Sequence, residues 1–202
     1  LLLDLCGETD LKNNIEKYFN GSIINETEKR AVLHTTLRSS EIKDPNLKKE
    51  VNDTLNKIIS ISDKINSGKK LGYTGKKITD VVNIGIGGSH LGPEMVTDAL
   101  SYYSQGVNPH FVSNIDPDFT SKLLEKLNPE TTVFIIVSKT FTTIETLENA
   151  KKIRKWFIDM ANVESIKDHF IAVSNNTEAP KEFGVLPTLS LIHISEPTRR
   201  RG

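Results

Sequence analysis

Ser138, Thr140, Thr142 and Thr143 place four hydroxyls within six residues of this chain, with Lys139 and Phe141 between them. They follow Thr131-Thr132-Val133-Phe134-Ile135-Ile136-Val137, whose β-branched and aromatic residues predict a buried strand over 133–137. The segment from Ile144 to Met160 has helical spacing. A strand thus delivers hydroxyls onto a helix start, where unpaired backbone N–H groups carry partial positive charge and can receive a phosphate. Hydroxyls add neutral donors, which suits a phosphate that must bind and leave. Thr142 with Glu145 three residues on has the pattern of a capping box, an ordinary structural use for both. One helix needs one cap, so Ser138, Thr140 and Thr143 stand as candidate anion donors. Lys139 offers its backbone N–H or its side chain.

A second turn has related chemistry. An apolar run over 81–86 runs into Gly85-Ile86-Gly87-Gly88-Ser89-His90. Such glycines permit a sharp turn and close approach to a ligand, and Ser89 stands near the next helix start, as a donor or an ordinary N-cap. A dinucleotide fingerprint fails, because glycine would be needed at 90, where His90 stands. The acid expected about 20 residues on is also missing. A P-loop fails too, since no Gly-Lys-Ser/Thr follows. These glycines suit a smaller phosphorylated ligand. His34, His90, His110 and His169 have no metal-ligand spacing and read as structural, and His193 lies in the terminal tail. Asn114-Ile115-Asp116-Pro117 reads as turn chemistry and Trp156-Phe157 as packing.

The elements that position these turns follow from periodicity. Leu11, Ile15, Tyr18 and Phe19 predict one helix. Asn25-Glu26-Thr27-Glu28 resembles a capping box opening a second, through Arg30, Val32, Leu33, His34 and Leu37. A third is expected over 46–66, and the glycine-bearing stretch 67–75 reads as a link. From Ile78 short apolar runs at 81–86, 111–115, 133–137 and 170–173 alternate with helical stretches near 91–104, 118–127 and 144–160. This order predicts an α/β fold with a doubly wound parallel sheet, whose ligands bind beyond the carboxyl ends of the strands. Lys plus Arg and Asp plus Glu both number 26, which offers no electrostatic footprint for nucleic acid or an anionic membrane. The lone Cys6 and the lack of a membrane-spanning or signal-like stretch predict a soluble, cytoplasmic chain.

Taken together, Val82-Asn83-Ile84-Gly85-Ile86-Gly87-Gly88-Ser89, Leu91-Gly92-Pro93, Phe111-Val112-Ser113-Asn114-Ile115-Asp116 and SKTFTTIET at 138–146 closely resemble the glucose-6-phosphate isomerase family. Thr27 to His34 and Phe170 to Ser174 resemble it as well, so the likeness runs in order from about residue 1 to Val185. It implies a helical segment over 1–75, then a sugar-isomerase (SIS-type) domain over 76–185. It also implies a homodimer, interconversion of glucose 6-phosphate and fructose 6-phosphate in glycolysis and gluconeogenesis, and no metal or organic cofactor. The phosphate site falls on Ser138, Lys139 through its backbone, Thr140 and Thr143, with Phe141 and Thr142 in the same loop. Gly88 and Ser89 line the substrate, while Glu145, outside that set, is read as a helix cap or a support of the loop. The rival class is a non-catalytic phosphosugar-binding module, which would lack the helical entry.

The departures shape the expectation for this chain. His90 replaces an aspartate, and Pro117-Asp118-Phe119 replaces the family's Gly-Thr-His. In the family an aromatic-rich stretch and a Gly-Gly-Arg motif follow the equivalent of Val185, with the glutamate base, ring-opening histidine and C-terminal lysine beyond. None has a match here, so the chain reads as an N-terminal fragment without turnover and without the family's second domain. Residues 189–199, LSLIHISEPTR, resemble a translated sequencing-library adapter, so 186–202 is read as a non-native tail in preference to a natural strand and basic tail.

Overall fold

The computed structural model describes residues 2–27, 29–37, 44–104, 106–185 and 188–189. The chain divides into two compact units within one helix, between Asp53 and Thr54. In the first unit, helices α1 (Leu2–Glu8) and α2 (Leu11–Phe19) precede a two-stranded antiparallel ribbon, β1 (Ile23–Asn25) with β2 (Arg30–Ala31). A 3-10 turn follows at His34–Leu37, and α3 (Pro45–Asn66) crosses the division. Val51 packs with Leu33 and Leu47.

The ribbon corrects the expected helix over 25–37. Lys29 is left-handed (φ 51°), a conformation a right-handed helix does not continue through. β-branched Ile23 and Ile24 start the ribbon in its place. Glu28, the acid of the expected capping box, lies outside the described residues.

In the second unit β3 (Asp80–Ile84), β4 (Asn108–Val112), β5 (Thr132–Val137), β6 (Phe170–Val173) and β7 (Thr188–Leu189) form a wholly parallel sheet in the order β4-β3-β5-β6-β7. The connecting helices are α4 (Gly88–Ala99), α5 (Pro117–Leu124), α6 (Ile144–Met160), α7 (Ile166–His169) and α8 (Ala179–Glu182). β7 lies in the segment expected to be a foreign tail, so the sheet extends into it. Leu186, Pro187 and residues 190–202 lie outside the described residues.

Alternation along the strands explains the two layers. Val82, Ile84, Phe134, Ile136, Phe170 and Ala172 pack with Leu124, Ile153, Phe157 and Ile166 on one face. Val81, Val133, Ile135 and Ile171 pack with Ile61 and Ile65 of α3 on the other. Phe134 stacks on Phe170 at 4.9 Å, and Phe157 meets Phe170 edge-on at 5.4 Å. Trp156 joins through Phe134 at 6.2 Å, in the packing role expected for it.

β3 and β4 start before the expected residues 81 and 111, and end before 86 and 115. Their first residues are polar, so apolarity does not mark them. Asp80 pairs in register with Asn108 and Thr132, and its carboxylate meets the His110 ring at 2.8 Å. Pro109 is tolerated because β4 is an edge strand.

His169 ties the link before β3 to the sheet. Fully buried, it donates from Nδ1 to the Thr132 carbonyl (2.7 Å) and accepts the Tyr73 N–H at Nε2 (2.9 Å). Accepting at Nε2 requires the neutral ring. Burial pushes its pKa below the ordinary 6.5, the Lys70 charge adds to this, and the Thr132 bond and Asp168 charge oppose it. Below about pH 6.5 the unfolded chain takes up a proton that the folded chain refuses, so stability falls with falling pH until the folded pKa is passed. Urea titrations between pH 7.5 and 5 should show this loss, at most about 1.4 kcal/mol per pH unit for one proton. The variant His169→Gln should be less stable at pH 7.5 and show a shallower pH slope.

Candidate functional site

Strand order places the site. β3 leads through α4 to β4 on one side, whereas β4 leads back across β3 to β5 on the other. With right-handed crossovers, α4 covers the face opposite α5 and α6, leaving a crevice beyond the carboxyl ends of β3 and β5. Ile84 lies opposite Ile136, so the glycine turn and the hydroxyl loop leave the sheet at the same edge.

In the glycine turn, the Gly85 N–H donates to the Val112 carbonyl (3.1 Å), and Asn83 Nδ2 donates to the Ser89 carbonyl (3.0 Å). A Cβ at Gly85 would lie 2.8 Å from the Ser89 oxygen, so close approach to the first turn of α4 requires glycine there. Gly87 requires it for a different reason, its positive φ of 58°. Gly88 and Ser89 are the first two residues of α4, where N–H groups have no intrahelical acceptor. The N-cap position, Gly87, supplies no side chain, so Ser89 is not the cap. His90 bonds Glu94 at 3.1 Å and packs edge-on against Phe111 at 5.9 Å, a structural placement.

The hydroxyl loop is a turn followed by a helix start. The Ser138 N–H continues the sheet to the Val173 carbonyl (3.1 Å), and the Phe141 N–H returns to the Ser138 carbonyl (3.3 Å). Lys139 and Thr140 form the corners. Phe141 is left-handed (φ 57°), which costs an L-residue about 1–2 kcal/mol. Its buried ring, edge-on to Phe183 at 6.0 Å, offsets this, since burying Phe contributes about 1.5–3 kcal/mol. Arg154 of α6 lies over the Phe183 ring at 5.4 Å and donates from Nε to its carbonyl at 3.0 Å.

The left-handed Phe141 precedes an extended Thr143, and this corrects the expected cap. Thr143, not Thr142, is the N-cap residue, and its hydroxyl makes no capping bond. Instead it accepts from Ser138 Oγ at 3.3 Å. Glu145 is then the second helical residue, one short of the capping-box position. Thr140 and Thr142 bond each other at 2.6 Å and are exposed. The first N–H groups of α6 thus have no intrahelical acceptor and no side-chain cap. Thr146 in that turn carries a buried hydroxyl with no partner among the described residues.

Ser138, Lys139, Thr140, Phe141, Thr142 and Thr143 are therefore one loop, and Gly88 and Ser89 share its sheet edge. Asp116 caps α5, accepting the Asp118 N–H at 2.9 Å, as expected of a turn. Three residues were missed: Ser174, Asn175 and Asn176, which follow β6 and bond the carbonyls of the loop corners. A polar run directly after an apolar strand was the available signal. Among the described residues no group of three His, Cys, Asp or Glu could hold a metal ion, and no helix is long and apolar enough to cross a membrane. A groove of about 480 Å³ along α5 and α6 is a poor rival for an anion, since its Lys152 is spent on the Pro117 carbonyl and Ser121 and its Lys155 on Asp159.

The family model for phosphoglucose isomerase matches residues 1–194. The chain belongs to the phosphoglucose isomerase family. A glucose-6-phosphate isomerase from Christiangramia forsetii is 48% identical over 190 residues, 92% of this chain and 35% of the relative. The crystal structure of a glucose-6-phosphate isomerase from Chlamydia trachomatis matches with TM-score 0.75 and 27% identity, over 93% of this chain and 37% of that one. A hypothetical protein from Thermus thermophilus shares the fold at TM-score 0.57 and 20% identity, over 78% of this chain and 37% of that one. The chain spans about a third of the length of these relatives.

Glycines 85 and 88 make a paired test of the turn. Gly85→Ala should cost about 1–3 kcal/mol, since the added carbon meets backbone. Gly88→Ala should be neutral or stabilising by up to about 1 kcal/mol, because nothing lies within 4 Å of its added Cβ. Urea midpoints at constant m-value would read both.

Proposed function

We propose that this chain carries the phosphate grip of an aldose–ketose isomerase site and takes a hexose 6-phosphate. The observation that carries this is the uncapped start of α6, with Ser138, Thr140, Thr142 and Thr143 before it at the switch point of the sheet. A phosphate there accepts from the first N–H groups of α6 and from neutral hydroxyls, held by directed bonds without a permanent ion pair. Gly88 and Ser89, across the crevice, face the sugar. Glu145, beside the anion, supports the loop and does not bind the phosphate.

Likeness to enzymes named glucose-6-phosphate isomerase supports glucose 6-phosphate and fructose 6-phosphate as the substrates of the whole protein. There the ring opens and a proton passes between neighbouring carbons through a cis-enediol by general acid–base catalysis, without metal or organic cofactor. The anchor contributes positioning, which lowers the barrier by holding the reacting carbons in place. We read residues 76–185 as the SIS-type domain of a cytoplasmic homodimer. The family match includes the helical entry, which supports this reading over a stand-alone binding module. By itself the 202-residue chain binds without turnover, since the family's glutamate base, ring-opening histidine and Gly-Gly-Arg motif have no match here.

Calorimetry on the 202-residue chain should give saturable binding of fructose 6-phosphate and inorganic phosphate, and none of NAD. Ser138→Ala and Thr143→Ala should each weaken phosphate binding about tenfold, the effect of losing one hydrogen bond to a charged group. A coupled assay should show no isomerisation above background. Turnover comparable to a full-length isomerase would overturn the inactivity, and absence of phosphate binding would overturn the grip.

A further inference from the structure

We propose that Ser174 and Asn176 are positioning residues of the phosphate loop, holding its corner peptides so that the Thr140 N–H faces the ligand. The proposal rests on the phosphate-binding reading above. Lys139 and Thr140 occupy the corners of the turn closed by the Phe141 N–H and the Ser138 carbonyl. The peptide joining two corner residues is the one that differs between type I and type II turns, flipping its carbonyl and N–H together. Here that carbonyl, of Lys139, accepts from both Ser174 Oγ (3.1 Å) and the Asn175 N–H (2.9 Å). The next carbonyl, of Thr140, accepts from Asn176 Nδ2 (3.3 Å).

In a trans peptide the C=O of one residue and the N–H of the next point in opposite directions. Capture of the Lys139 carbonyl by the segment after β6 therefore turns the Thr140 N–H away from β6. β5 lies between β6 and β3, so this N–H points to the side of the glycine turn.

The bracket is itself fixed. Ser174 is fully buried, and its Oγ accepts the Asn176 N–H at 3.0 Å. Asn176 Oδ1 accepts the N–H groups of Glu178 and Ala179, both at 3.0 Å, which opens α8. The two ends of the Asn176 amide thus do separate jobs. Its oxygen starts a helix, and its nitrogen holds the loop.

That division makes the proposal testable. In Asn176→Ser a hydroxyl can still accept the Glu178 and Ala179 N–H groups, as serine does at helix starts, but nothing reaches the Thr140 carbonyl. With the 202-residue chain and inorganic phosphate as the probe, Asn176→Ser should bind about five- to tenfold more weakly at an unchanged thermal midpoint. Ser174→Ala should weaken binding similarly, and Ser174→Thr, which keeps the hydroxyl, should restore it. Parent-like affinity in both Asn176→Ser and Ser174→Ala would overturn the proposal, as would an affinity loss in Ser174→Ala that Ser174→Thr fails to rescue. If the parent itself shows no saturable phosphate binding, the functional reading fails first and the positioning role falls with it.

Discussion

Parallel pairing of β3 with β5, with Ile84 opposite Ile136, is the contact on which the rest depends. It brings together two strands that the chain separates by a whole strand and two helices. The crossover from β4 must pass β3 to reach β5, and that reversal opens the crevice. Val82, Ile84, Phe134 and Ile136 are fully buried, so slipping the register by one residue would turn this apolar set toward the wrong layer. The two turns are therefore brought together by hydrophobic burial, although the donors they carry are hydroxyls and backbone N–H groups.

The hydroxyl loop shows how local strain and tertiary packing cooperate. A left-handed phenylalanine is unfavourable in isolation, and here its buried ring beside Phe183 and Arg154 holds it. With Phe141 left-handed and Thr143 extended, α6 begins at Ile144, and the Thr143 hydroxyl meets Ser138 in place of the helix N–H groups. Core packing thus leaves a helix end without its usual cap. Local rules favour a cap at that position, and departures from such rules concentrate where a chain meets a ligand.

Much of this architecture was legible in the residues. β6 has its expected bounds of 170 and 173, and α6 its expected 144 and 160, because both are uninterrupted in pattern. The turns at the carboxyl edge were legible as well, since glycines and small hydroxyl residues directly after apolar runs mark where strands end. What escaped depends on partners distant in sequence. The amino ends of β3 and β4 are polar and belong to the sheet only through pairing with each other and with β5. The segment 23–31 carries capping residues that a left-handed Lys29 turns into a ribbon. Ser174 and Asn176 show in the sequence only as part of a polar run after an apolar strand, and their bonds to the loop exist only once β6 lies beside β5.

The strand order also has a consequence in time. A ribosome releases β3 and β4 first, and these can pair as soon as α4 has formed. The opposite edge of β3 then waits, unpaired, through the whole of α5 until Thr132–Val137 is synthesised. An open edge backed by Val82 and Ile84 is a template for any extended segment that reaches it. Pairing of β5 moves the open edge from β3 to β5, now backed by Phe134 and Ile136, and β6 then covers that edge in turn. The sheet thus grows on this side with one apolar edge always waiting for its next strand.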